Sequence, residues 1–116
     1  MNDSLAPFRI FQSADPDRFE LMLCDGDMEL VEDVFHGLNE EANGHGWQLL
    51  AKSVIAEQLP RLATLIAFDS EGGMFVALSP DASALRELAS ELRSAFHDHS
   101  YLERLISQMQ HSRRTR

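Results

Sequence analysis

Asp69 and Glu71 place two carboxylates at alternating positions in Asp69-Ser-Glu-Gly-Gly73, the arrangement in which one acid can protonate a substrate while the other abstracts a proton. Such a pair also needs a pocket whose uneven surroundings separate the two pKa values, and the residues around it are those of a polar turn. A turn residue beside a solvated acid is the better account. His97-x-His99 offers two imidazoles to a metal, but a zinc site takes at least a third protein ligand, and neither a further Cys nor an HExxH pattern provides one. Asp25-x-Asp27-x-Glu29 alternates acids as a calcium loop does, without the Gly at loop position six or the Glu at twelve. Cys24 ends the apolar run Phe19-Glu-Leu-Met-Leu-Cys24, which suggests a buried strand residue whose thiol is inert rather than nucleophilic; as the one cysteine it forms no internal disulfide, which suits a reducing compartment. With no GxSxG, Walker or dinucleotide motif either, no catalytic residue, metal or cofactor is expected.

What the sequence does concentrate is charge. Residues 15–41 hold ten acids (Asp15, Asp17, Glu20, Asp25, Asp27, Glu29, Glu32, Asp33, Glu40 and Glu41) against one base, Arg18. The remainder holds nine acids and nine bases, so the formal charge of −9 is a property of that window. Clustered carboxylates repel one another and work against the compact state, whereas the field they project attracts and orients a cationic partner. A protein with a basic surface is the partner this favours, and direct nucleic-acid binding is disfavoured. The acids also lack the Lys or Arg four residues on that a self-stabilised exposed helix would use.

The elements that must position these acids follow from hydropathy. Pro7–Gln12 and Arg18–Cys24 alternate apolar with polar residues around Ser13-Ala-Asp-Pro-Asp17, which reads as a β-hairpin. Asp27 is placed to cap a helix with Met28, Val31, Val34, Phe35 and Leu38 on its inner face and Glu29, Glu32, Asp33 and His36 outside. Asn39–Gly46 reads as a loop, with Trp47 opening a helix to Leu59 before Pro60. Leu62–Phe68 fits either a helical turn or a strand. Met74–Leu78 is a short apolar strand that makes a second hairpin, Asp81 caps a long helix with Leu85, Leu88, Ala89, Leu92 and Phe96 along one face, and a last helix covers Tyr101–Met109.

The order ββααββαα predicts an α+β fold: one four-stranded antiparallel sheet with amphipathic helices packed on one face. The two halves read alike without a residue-level repeat. With 116 residues and 44% hydrophobic composition, one α+β domain over 1–110 and a flexible basic tail over 111–116 are expected. No basic start followed by an apolar run, and no stretch near 18 apolar residues, points to export or to a membrane span, so a cytoplasmic protein with no membrane partner is expected.

Glu41-Ala-Asn-Gly-His-Gly-Trp47, Phe68-Asp-Ser-Glu-Gly-Gly-Met-Phe75, Leu78-Ser-Pro-Asp81 and Leu85 together resemble the pattern of immunity protein family 51 across about residues 20–106. Members of that family are small bacterial proteins encoded beside polymorphic toxins. The resemblance implies an inhibitor that binds a toxin domain made by the same cell and keeps it inactive until export.

These readings converge on a non-enzymatic immunity protein that occludes a cognate toxin stoichiometrically, a monomer rather than a homodimer. The partner-binding residues expected are Asp25, Asp27, Glu29, Glu32, Asp33, Glu40 and Glu41 for charge complementarity. In Asn43-Gly-His-Gly-Trp47, His45 and Trp47 can form an anchor on a contact loop, or Trp47 can be a plain core residue. The rival is an acidic secretion chaperone that dimerises through the helix Asp81–Phe96; a small hydrolase using Asp69 and Glu71 ranks third.

Overall fold

Alternation in the first forty residues builds the hairpin it predicts. In the computed structural model, which describes residues 4–15 and 17–114, β1 (Arg9–Gln12) pairs antiparallel with β2 (Phe19–Cys24), Ile10 opposite Leu21 and Gln12 opposite Phe19. β2 continues into an antiparallel pairing with β4 (Met74–Ser79), and a two-residue β3 (Ala67–Phe68) closes the other edge of β4. The sheet order is β1-β2-β4-β3. The ambiguous stretch after Pro60 is thereby settled: Pro60–Leu62 forms one 3-10 turn, and the strand begins only at Ala67.

Period-two alternation sends Leu21 and Leu23 of β2, with Phe75 and Ala77 of β4, to one face, where all four are buried in the hydrophobic core. The helices cover that face. α3 (Gly44–Gln58) and α4 (Ala82–His97) pack directly on the strands, and α5 (His99–Arg114) packs across α3 and α4 as an outer layer. The fold is α+β, with one open antiparallel sheet and its helices on one side. Leu85, Leu88, Leu92 and Phe96 of α4 are all consumed by this core, so the dimer surface that a chaperone would need on α4 is spent inside the molecule.

Asp81 caps α4 as its spacing predicts: Oδ1 accepts from Ser83 N and Ser83 Oγ, both at 2.9 Å. The Ser83 side-chain hydrogen bond and then its backbone one hold the Asp81 carboxyl below its ordinary value of 3.8. A lowered folded-state pKa means that the cap's stabilisation is complete above the unfolded value and is lost as pH falls through the folded one. Asp81→Ala is therefore expected to lower the melting temperature at neutral pH, and the gap to wild type should close as the pH drops below 3.8. Circular-dichroism melts at several pH values check this.

Two boundaries differ from expectation. α5 runs past the expected end at Met109 to Arg114, because Leu102, Leu105, Ile106 and Met109 hold it to the core and Gln110 and Arg113 bind the loop after residue 38; Thr115 and Arg116 lie outside the described residues. The acidic segment is not one helix capped by Asp27. It starts at Asp25 as α1 (Asp25–Met28), passes through a 3-10 turn (Glu29–Val31) and resumes as α2 (Glu32–Gly37), with no side-chain cap on any piece. Asp25 and Asp27 stand in the first turn, where the helix dipole favours anions. Unpaired like charges three and four residues apart, Glu29 with Glu32 and Asp33, weaken a continuous helix at the point where it breaks.

Candidate partner-binding surface

The acidic segment begins where β2 ends. Cys24 pairs with Met74, and a methyl group placed on Gly73 would sit 3.7 Å from Asp25 Oδ2, so Asp25 lies against the turn that leads into β4. That turn is closed by Glu71 N donating to Met74 O at 2.8 Å and Met74 N donating back at 3.1 Å. The start of α3 docks on it, with Gly44 N donating to Gly72 O at 3.0 Å. Glu41 is drawn in as well: a Cβ on Gly46 would meet its carbonyl oxygen at 1.9 Å. Asp25, Glu41 and Glu71 are thus gathered around one end of the sheet, although Glu71 lies thirty residues beyond Glu41 in sequence.

Asp25, Glu29, Asp33 and Glu41 are exposed, and Asp27 and Glu32 are half-buried. None of the six forms an ion pair among the described residues. Three of the chain's bases are engaged with other groups: Arg61 with Glu87, Lys52 over the Phe68 ring at 5.8 Å, and Arg104 over Tyr101 at 5.2 Å. The strip accordingly keeps its negative charge uncompensated by neighbours.

Two of the expected contributors, Glu40 and Trp47, are engaged inside the molecule. Glu40 is not available to a partner, because its carboxylate pairs with Arg113 and accepts from Gln110 Nε2 at 2.8 Å, leaving the side chain 13% exposed. With Gln110 Nε2 also donating to Leu38 O, and Asn39 at φ 65°, this contact fixes the exit from α2 against α5. Trp47 is not an anchor. It is 0% exposed and sits among Phe8, Phe35 and Phe96, with ring centroids at 5.8, 5.3 and 6.3 Å. Asn43–Gly46 is the start of α3 rather than a loop: Asn43 is its N-cap, Oδ1 accepting from Gly46 N at 2.8 Å, and His45 is exposed on the first helical turn.

The acidic window is also not all on one flank. Asp15 and Asp17 belong to the β1–β2 turn, and the six residues of β2 put roughly 20 Å between that turn and Asp25. Asp15 faces Arg18 at 3.9 Å. Asp69 and Glu71 are exposed at the turn before β4. His97 Nε2 donates to Ala6 O at 3.0 Å, and no three His, Cys, Asp or Glu side chains among the described residues come together as a metal set.

One residue escaped the reading of the sequence. Leu30, between Glu29 and the buried Val31, is 68% exposed in the middle of the acid strip. Its signal is a Leu standing off the apolar stripe Met28–Val31–Phe35, on the side that the acids occupy.

No curated protein and no solved structure matches the chain. The family model described as immunity protein 51 matches residues 8–111, which takes in the hairpin, the acidic strip, the Gly-His-Gly-Trp helix start and both C-terminal helices. By that match over most of its length, the chain belongs to the immunity protein 51 family.

Proposed function

We propose that this protein binds a cognate bacterial toxin domain and keeps it inactive by stoichiometric occlusion, without catalysis of its own. The strip formed by Asp25, Asp27, Glu29, Glu32, Asp33 and Glu41, with Leu30 at its centre, meets a basic surface of the toxin. The observation that carries this reading is that six carboxylates stand along one short segment with no cation paired to any of them among the described residues. Beyond the helix-dipole contribution of the first-turn acids, folding gains little from that arrangement, while capture of a basic partner gains rate and register. The protein acts in the cytoplasm as a monomer, where the toxin would otherwise be active before export. Phosphate-cleaving and nucleic-acid-binding surfaces are basic, so a toxin that attacks nucleic acid fits the partner's required charge.

The direct test uses the toxin domain encoded in the neighbouring reading frame. Titrating it with this protein is expected to abolish its activity at one molar equivalent, and the two should elute together as a one-to-one complex. Residual toxin activity at excess inhibitor, or coelution of a dimer of this chain with an unfolded toxin segment, would contradict the proposal.

A further inference from the structure

An antiparallel sheet covered on one side ordinarily turns polar residues to the other. Here it does not. The register puts Met22 and Cys24 of β2 on the face opposite the helices, together with Met74, Val76 and Leu78 of β4 and Phe11 of β1. Phe11 is 41% exposed, and Met22, Cys24, Met74 and Leu78 are half-buried. Val76 is 7% exposed yet stands outside the cluster that forms the core. Among the described residues, the sheet side chains that join the helix-packed core are Leu21, Leu23, Phe75 and Ala77 of the inner face, with Ile10, Phe19 and Phe68 packed against it.

The charges around the face define what it accepts. Glu20 lies within it, opposite Phe11 and Leu78. Asp25 follows Cys24 directly, Asp69 continues the β3 register with its N–H on Val76 O, and Glu71 pairs with Met74. Against these four acids stands Arg9, opposite Met22. A second copy of the chain would bring four acids toward four, which disfavours close self-pairing on charge. Area argues the same way. Four strands at ~4.8 Å spacing and under 20 Å long present roughly 350 Å², less than half of the about 800 Å² per partner of a stable interface. The face meets the acidic strip at Asp25, which follows Cys24 directly, so a partner seated on both covers more surface than the face alone offers.

We infer that the open sheet face centred on Met22, Val76 and Leu78 is the apolar half of the same toxin-binding surface, and that it takes an apolar patch on the toxin bordered by cationic side chains. This rests on the function proposed above. Burying the patch supplies the slow dissociation that charge steering alone does not.

Cys24, the one thiol of the chain, reports on the face without any substitution. Its alkylation by iodoacetamide, followed by mass spectrometry of this chain, is measured alone and with one equivalent of the neighbouring toxin domain. A rate at least tenfold slower in the complex is expected. Phe11→Glu, on an edge strand, should weaken the complex about tenfold with an unchanged melting curve. A complex in which Cys24 reacts at its free rate overturns the inference and leaves the proposed function standing. Failure of the toxin to bind at all removes both. Self-association of the free chain that Phe11→Glu abolishes would assign the face to a second copy and overturn the inference as well.

Discussion

Gly44→Ala is expected to cost about 3 kcal/mol or more, a large share of the roughly 5–15 kcal/mol that stabilises a domain. A Cβ at this position would stand 1.8 Å from the Glu71 carbonyl oxygen and 2.4 Å from that of Met74. Both are backbone atoms of a turn closed by its own hydrogen bonds, so neither can yield as a side-chain tip would. The start of α3 would have to lift off the turn, breaking Gly44 N to Gly72 O and loosening the end of the sheet where Asp25, Glu41 and Glu71 meet. Gly46→Ala meets the Glu41 carbonyl at 1.9 Å and should behave alike. Gly26 and Gly37, which are helical with open space around the added carbon, give the contrast: alanine there should be neutral or stabilise by about 0.5–1 kcal/mol. Urea denaturation of the four variants measures the difference. Equal effects at all four positions would refute close approach as the reason for the Gly-His-Gly pattern.

Trp47→Ala should destabilise by about 3–5 kcal/mol, the usual cost of emptying a buried aromatic site. The indole fills the space between Phe8 of the N-terminal segment, Phe35 of α2 and Phe96 of α4, and so ties three separate parts of the chain together. Its Nε1 has no protein acceptor among the described residues. A buried donor without a partner is itself unfavourable, so Trp47→Phe trades lost area against removal of that donor and should cost much less than Trp47→Ala. Trp47→Phe should also bind the toxin as wild type does, because the residue has no surface with which to touch it. A folded Trp47→Phe protein that no longer binds would restore the anchor reading that burial contradicts.

The hairpins, the α4 stripe and the sheet with one covered face were legible because each rests on local periodicity. β2 and β4 alternate or run apolar between turn residues, and Asp81 precedes its helix at capping distance. What could not be read locally was where backbone meets backbone. Gly44 and Gly46 look like loop residues until the turn at 71–74 is brought against them, after which they are helical residues that tolerate no side chain. Glu40 looks like any other acid of the window until α5, seventy residues on, supplies Gln110 and Arg113. The break at Glu29–Val31 follows from repulsion that composition records, but its position depends on Val31 and Phe35 reaching the core together. A signal for the open sheet face was present in the unbroken apolar run Met74–Leu78, which is apolar on both sides of a strand that helices cover on only one.

Charge steering by the strip after β2 is the claim on which the proposed function rests, and stopped-flow association with the neighbouring toxin domain at two ionic strengths tests it most directly. Wild type should associate fast at low salt and slow steeply as salt is added, whereas Glu29→Lys, Glu32→Lys and Asp33→Lys together should slow low-salt association by about tenfold or more and flatten the salt dependence. An unchanged rate and an unchanged salt slope in that triple variant, with the fold intact, would contradict the account.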